Sequence, residues 1–341
     1  MSGGASLRDW LAEVRRFASV KHRTIALSVL RIFIGSTLLV YYSQHIFQRE
    51  YLWGNTGLEP FSLFQQIMLS RHGFSLYLLS PSSLYQAAVF YVGLVVTITF
   101  TVGYRTRISS ILFYLFTWSL FQRNIFLLTG GDNLIYLLAF FLMFADCGGH
   151  FSTDATSGRS RTQSGPFVAM VHNYAVLAII VQLSLVYLTS AFYKMQGALW
   201  QNGTALYYVL RLSEFNLSPF AHHFYDSETV AKLLTWGTVI FEMSWPFLIW
   251  NRRTKPFVAL GAVLMHSMIG YFMGLVWFSF VFIGAQVVIF KDSELISYAA
   301  RVREAAGAAR ASLVALMPRA RVGASGIAVA VLRRRKTPPA A

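Results

Sequence analysis

The chain has 341 residues, of which 55% are hydrophobic, 16% aromatic and only 13% charged, with a formal net charge of +15 at pH 7 and a mean hydropathy of +0.51. Soluble domains carry about 25% charged residues, so a chain this poor in charge cannot cover a water-facing surface. Disorder, a coiled coil and, with Cys147 the only cysteine, a disulfide scaffold or Cys-rich metal site are excluded, and the class left is a polytopic membrane protein.

Residues 1–23 are a basic lead-in. Leu7, Trp10, Leu11, Val14 and Phe17 recur at helical spacing among Arg8, Arg15 and Arg16, which predicts an amphipathic helix in the membrane interface. The apolar run at 24–46 is too long for a signal-peptide core and reads as a retained first span. Seven further candidate spans lie at about 83–103, 108–128, 132–148, 167–192, 229–250, 256–272 and 274–290. The last two divide one apolar run, with Gly270 and Gly274 offering the turn; a single tilted helix is the alternative. The expected fold is all-α, a polytopic integral membrane bundle of about eight transmembrane helices in the domain 24–290. Two longer segments, 47–82 and 193–228, are rich in aromatics. They predict re-entrant or interfacial structure roofing an outward vestibule; ordinary surface loops with interfacial aromatics are the alternative. Residues 291–341 form a basic, Ala/Arg-rich tail ending in Arg333, Arg334, Arg335 and Lys336, expected to be cytoplasmic and partly disordered.

Charge orients this scheme. With eight spans and the N-terminus inside, 22 Lys and Arg fall on the cytoplasmic side and six on the other, with Arg31 within the first span. Basic residues concentrate in cytoplasmic loops. The positive charge is therefore expected to meet membrane lipid headgroups, not nucleic acid.

Ionisable groups within spans are costly and are functional candidates by default. Arg31 and Arg123 can snorkel. Arg123 and Asp132 can form an ion pair across a short hairpin. Glu242 and His266 fall mid-span on consecutive helices, where a mutual hydrogen bond, a proton relay or a substrate contact would each satisfy them. Lys194 ends the fifth span, followed by Trp200 and Gly203. A lysine there is either a snorkelling anchor or, away from carboxylates and desolvated, a base. Asn202-Gly203-Thr204 and Asn216-Leu217-Ser218 match the glycosylation sequon. His222 and His223 with Asp226 lack a further convincing ligand, and no metal site is expected.

Three stretches carry a family resemblance. "GYRTRISSILFYLFTWSLFQRNIFLLTGGDNLIYLLAFFLMFAD" holds an Arg-x-Arg turn, an Arg-Asn and a Gly-Gly-Asp before an apolar span. "YKMQGALWQNGTALYYVLRLSEFNLSPF" runs from a lysine through Trp-x-x-Gly to Ser-Pro-Phe. "MHSMIGYFMGLVWFSF" places an aromatic-Ser-aromatic twelve residues after a histidine. In this order they resemble the horizontally transferred transmembrane (HTTM) domain family. That family groups the membrane part of vitamin K-dependent γ-carboxylases with sporulation-delaying-protein B-like proteins.

The resemblance implies Lys194 and His266 as catalytic positions. Trp200 and Gly203 fall in the surrounding motif and, with Glu242, are candidate substrate contacts. In carboxylases a lysine at the position of Lys194 is implicated as the base that deprotonates vitamin K hydroquinone. Here Tyr193 and Met195 flank Lys194 where carboxylases carry two adjacent lysines, and Gly131 stands where they carry a histidine. They also carry a large non-cytosolic domain after the bundle, where 51 residues follow Phe290 here. The resemblance thus implies a lipid quinone as cofactor and a small secreted peptide as partner, in peptide modification or maturation. A non-catalytic role in immunity, export or assembly of a toxic peptide is the alternative. A solute transporter is weaker still, since no inverted repeat is visible.

The charge asymmetry makes a direct prediction: compartment reporters fused at Arg253 and at the C-terminus both give cytoplasmic signals. A non-cytoplasmic signal from the C-terminal fusion would remove one span from the scheme.

Overall fold

In hydrocarbon every backbone N–H and C=O must be satisfied within its own segment, so apolar runs fold as helices. The computed structural model describes residues 19–159, 165–214, 218 and 220–316. Most of the lead-in, Asn216 and the basic cluster at 333–336 lie outside the described residues. The described chain is helical throughout, without strands. The helices are α1 (Thr24–His45), α2 (Arg49–Trp53), α3 (Phe61–Ser70), α4 (Ser83–Val102), α5 (Thr106–Arg123), α6 (Gly130–Leu142), α7 (Thr153–Thr156) and α8 (Pro166–Gln196). They continue with α9 (Ala198–Gln201), α10 (Ala205–Val209), α11 (His222–Tyr225), α12 (Glu228–Leu248), α13 (Lys255–Met273), α14 (Val276–Ala285) and α15 (Asp292–Leu316). Residues up to Asp292 form one compact unit, and a second begins at Ser293.

Each of the eight expected spans coincides with a helix, but they are unequal. Helices α1, α4, α8 and α13 are each long and apolar enough to cross a membrane. Helices α5 and α12, with 18 and 21 residues, carry more polar side chains. Helix α6 has 13 residues and α14 has 10, which at about 1.5 Å per residue fall short of a bilayer core of about 30 Å. The two short helices meet at their N-terminal ends. A Cβ on Gly131 would lie 2.8 Å from the Phe278 backbone, so only glycine permits this approach.

The 256–290 run is two helices. Gly274 closes α13 at φ +69°, a left-handed backbone that glycine adopts at no steric cost. Gly270 lets Ser279 of α14 approach to 3.2 Å of where a Cβ would stand. At the start of α1, the Asp292 carboxylate accepts from the backbone of Thr24 (2.9 Å) and Ile25 (3.0 Å). This caps orphan N–H groups and opposes the positive end of the helix dipole.

Neither intramembrane arginine snorkels. Arg31 is fully buried and donates to the carbonyls of Cys147 (2.9 Å) and Phe151. Arg123 is also fully buried. It donates to the carbonyls of Glu59 (2.9 Å) and Gly54 (2.5 Å) and stacks 4.7 Å over Phe64. Asn124 adds a bond to the Leu52 carbonyl at 2.9 Å. Both residues therefore tie the 47–82 segment to the bundle.

The expected Arg123–Asp132 ion pair does not form. Asp132 instead accepts from the Thr129 backbone and hydroxyl, both at 2.8 Å, and completes a capping box at the start of α6. A carboxylate at helix position N3 is satisfied locally by the N-cap, which leaves the guanidinium to the loop carbonyls.

These separate partners predict additivity. Arg123→Met should lower stability by about 2–4 kcal/mol, as two charge-assisted hydrogen bonds are lost. Asp132→Asn should lower it by about 1 kcal/mol, the scale of a cap. The charge-swapped double should show the sum or worse in thermal unfolding of detergent-solubilised protein. Recovery in the swap would restore the ion pair.

Candidate functional site

Helix α8 carries Ser190 and Lys194 one turn apart at its C-terminal end, and Gly197 terminates it. The Gly197 N–H bonds to the Lys194 carbonyl at 3.0 Å, and Gly197 takes an extended backbone. This short turn brings Trp200 back over the lysine, with Nζ 5.1 Å from the ring centroid. Gly203 turns the chain again at φ +75°. A Cβ there would lie 2.8 Å from Lys232 and 3.0 Å from Trp236, so glycine at this position lets the turn lie flat on α12. Trp236 Nε1 donates to the Gln201 carbonyl at 3.2 Å, and Thr235 Oγ1 accepts from Leu206 N at 3.2 Å. Helices α9 and α10 are thus a cover laid on α12, not a free loop.

Under this cover Lys194 Nζ donates to Ser190 Oγ (2.9 Å) and to Glu242 Oε1. The condition that would favour a neutral base, distance from carboxylates, is not met: Glu242 touches Lys194. An i,i+4 hydroxyl, a carboxylate from the next long helix and an aromatic face together surround the ammonium. Glu242 is 5% exposed, and its second oxygen, Oε2, has no hydrogen-bond partner. Transfer of one proton across the Lys194–Glu242 contact would turn ammonium and carboxylate into amine and acid, with no change in net charge.

Of the alternatives for Glu242 and His266, the mutual hydrogen bond is absent, because each has another partner. His266 is 3% exposed. Its Nε2 lies 3.0 Å from the Tyr187 hydroxyl, and its ring stacks on Phe282 at 4.5 Å. Gln286 Nε2 donates to the same hydroxyl at 3.1 Å, and Trp245 Nε1 donates to Gln286 Oε1 at 3.1 Å. Tyr187 itself stacks on Trp245 at 4.6 Å. Sequence reasoning missed Ser190, Tyr187, Trp245 and Gln286. The available signals were helical spacing, since Tyr187, Ser190 and Lys194 share a face of α8, and an amide at position 286 within an otherwise apolar run.

Beside the charge pair, α12 and α13 enclose a cavity of about 550 Å³. Leu206, Leu210 and Phe224 roof it, and Leu233, Phe241, Met265, Met268 and Phe272 form its walls. Lys194, Thr238 and Glu242 are its polar lining. An apolar chamber with a few convergent polar groups is the usual form of a small-molecule site, and its methionines adapt readily to varied shapes. A second, more polar cavity of about 390 Å³ lies by Lys21, Asp146, Asp154 and His172, near the other end of α8. His222 and His223 are exposed, with ring centroids 3.9 Å apart. Among the described residues no group of three His, Cys, Asp or Glu is placed to hold a metal.

The chain matches the HTTM domain over residues 21–294, a stretch that contains every element of this site. The chain belongs to the HTTM domain family. It is similar to the uncharacterized protein YitO of Bacillus subtilis (strain 168), 24% identical over 206 residues, or 58% of this chain and 65% of YitO. It is also similar to the sporulation-delaying protein SdpB of the same organism, 23% identical over 195 residues, or 55% of this chain and 58% of SdpB. The chain thus spans less than two thirds of the length of each relative. No solved structure matches it. The family and the apolar helices make this HTTM chain a membrane protein.

The Lys194–Glu242 contact predicts strong coupling. Removing the lysine leaves the buried Glu242 charge uncompensated, at up to about 3–5 kcal/mol, and removing the glutamate leaves a part-exposed ammonium at a smaller cost. Lys194→Met should lower the unfolding temperature of purified protein sharply and Glu242→Leu less so, and the double variant should recover most of the loss. Independent, additive losses would mean that the contact does not hold the site together.

Proposed function

We propose that this HTTM protein takes a lipid-like molecule into the cavity between α12 and α13, at an outward-facing site in the cell membrane. The bound molecule serves the modification or maturation of a small secreted peptide. The observation that carries the reading is the charge pair at one end of an otherwise apolar chamber. A membrane-borne amphiphile has that same division, an apolar body and a polar head. A lipid quinone is a fitting class, since its ring and chain suit the apolar walls and its oxygens suit Lys194 and Thr238. In this scheme Lys194, made an amine by passing its proton to Glu242, takes the hydroxyl proton of the quinone's reduced form and leaves the head's oxygen anion beside the ammonium, while Trp200 shields the ammonium from water and Gly203 holds the cover closed.

The second reading is non-catalytic: immunity to, export of or assembly with a toxic peptide. It is favoured by one feature, the direct ion pair, which can serve purely as a tie between α8 and α12.

Gly237 provides the test of occupancy. It lines the cavity, and a Cβ on it would meet nothing within 4 Å. Gly237→Leu should fold at least as well as the parent, since leucine favours helix by up to about 1 kcal/mol over glycine, while filling the chamber. Mass spectrometry of protein purified with native lipid should find one enriched amphiphile in the parent and its loss in Gly237→Leu. An unchanged lipid profile would remove the cavity as the site.

Lys194→Arg separates the two readings. Arginine keeps the ion pair but its guanidinium stays protonated. Proton exchange predicts normal membrane levels and no peptide product. Full activity in the arginine variant would favour the tie.

A further inference from the structure

The second cavity, of about 390 Å³, lies where the first turns of α5 and α8 meet the segment before α1 and the turn after α6. His172 in its wall and Lys194 in the other cavity both belong to α8. At about 1.5 Å per residue they stand about 33 Å apart along the helix, close to the thickness of a bilayer core. The two cavities therefore lie toward opposite faces of the membrane, and the charge asymmetry of the sequence assigns this one to the cytoplasmic face. His172 is committed to backbone groups: Nδ1 accepts from Asp146 N at 2.9 Å, and Nε2 donates to the His22 carbonyl at 2.7 Å. It builds the wall and leaves ligand contacts to the charged side chains.

Lys21, Arg107 and Arg159 line the cavity together with Asp146 and Asp154. Both carboxylates are already engaged. Asp146 pairs with Lys21 at 2.5 Å and accepts from Gly148 N at 3.3 Å. Asp154 caps α5, accepting from Arg105 N at 3.0 Å and Thr106 N at 2.6 Å, and its contact with Arg159 is long, at 3.7 Å. Arg107 has no carboxylate partner among the described residues. It sits in the first turn of α5, the positive end of the helix, where a cation is disfavoured and an anion welcome. Arg105 and Arg159 both lie against the Tyr104 ring, at 5.9 and 5.6 Å from its centroid. This corner thus holds three guanidiniums against one capping carboxylate. The surplus is positive, and Arg107 and Arg159 are exposed and able to turn to a ligand.

Phe144 and Val168 also line the cavity and are exposed, at 41% and 47%. The site therefore joins a cationic corner to apolar side chains at a helix end. We propose that it seats the phosphate head of an anionic phospholipid. Arg107 and Arg159 take the phosphate, whose oxygens match the fork of a guanidinium, and Phe144 and Val168 meet the start of the acyl chains. Basic pockets between helices on the cytoplasmic side are a recurrent form of lipid site, and the volume suits a headgroup better than a whole lipid. A zwitterionic head brings a cation of its own, which the arginines oppose as a like charge. The bound head ties the start of α5 to the chain after α7 at the membrane surface. This site is separate from the Lys194 chamber and stands or falls without it.

The experiment titrates the full chain, in non-ionic detergent, with dioleoyl phosphatidylglycerol or dioleoyl phosphatidylcholine and counts bound lipid by native mass spectrometry. Phosphatidylglycerol should give one adduct about tenfold tighter than phosphatidylcholine, the scale of one charge-assisted hydrogen bond. Arg107→Gln should weaken that adduct about tenfold by the same measure. Arg107→Lys keeps the charge without the fork and should fall between. Arg252→Gln removes an arginine that is also exposed but outside the cavity, and it should leave binding unchanged. Without added lipid the variants should unfold at the parent's temperature, since surface substitutions cost little. With phosphatidylglycerol the parent and Arg252→Gln should gain stability and Arg107→Gln should not. Glycerol 3-phosphate, a phosphate head without chains, separates the two sources of phosphate and should leave the lipid adduct in place. Its displacement of the lipid at equal concentration would assign the cavity to a soluble phosphate compound and overturn the lipid. Equal binding of the two lipids, no adduct with either, or an equal fall in Arg107→Gln and Arg252→Gln would overturn the site.

Discussion

A buried carboxylate paired with a part-buried ammonium between two long helices imposes most of what is distinctive here. A lone charge at membrane depth costs about 2.5–3.5 kcal/mol on insertion scales. Glu242 on α12 and Lys194 on α8 are each tolerable because the other is present. The contact fixes where α12 lies along α8, and with it where the cover made by α9 and α10 lands. Gly197 and Gly203 then allow the chain to fold back closely enough for Trp200 to close over the ammonium. The pair, its cover and the chamber beside it are consequences of one electrostatic constraint.

The short helices fit the same logic. Helices α6 and α14 are too short to span alone, yet α14 places Phe278 and Phe282 against His266 and leads into the turn that carries Gln286. Polar groups in such a core are retained only where their partners are complete. Trp245, Gln286 and Tyr187 meet that condition, and His266 stops one hydrogen bond short. The buried arginines Arg31 and Arg123 donate from Nη to loop carbonyls and hold the ends of the bundle together, while the Nε of each has no partner.

The helices were legible from sequence because hydrocarbon leaves an apolar segment few alternatives. The first span was expected at 24–46 and is helical at Thr24–His45, and Gly274 divides the last run at an expected position. Lengths were less legible. The span expected at 132–148 stops at Leu142, and beyond it Asp146 turns to Lys21 at 2.5 Å and to His172. Partner choice was least legible of all. Asp132 and Arg123 are close in sequence, but a threonine three residues before Asp132 outcompeted the guanidinium. Lys194 and Glu242 are 48 residues apart, and no helical spacing joins them. Tyr187 and Gln286 looked like ordinary members of apolar helices until their hydroxyl and amide met. Local pattern determines elements, whereas these contacts depend on how the elements cross.

The most direct measurement is a high-resolution electron cryo-microscopy map of the full chain in nanodiscs made from the native membrane. The account predicts elongated density in the chamber between α12 and α13, with one end at Lys194 and Glu242 and the other among Met265, Met268 and Phe272. A chamber closed by direct packing of α12 on α13, with Lys194 turned away from Glu242 into the headgroups, would contradict it.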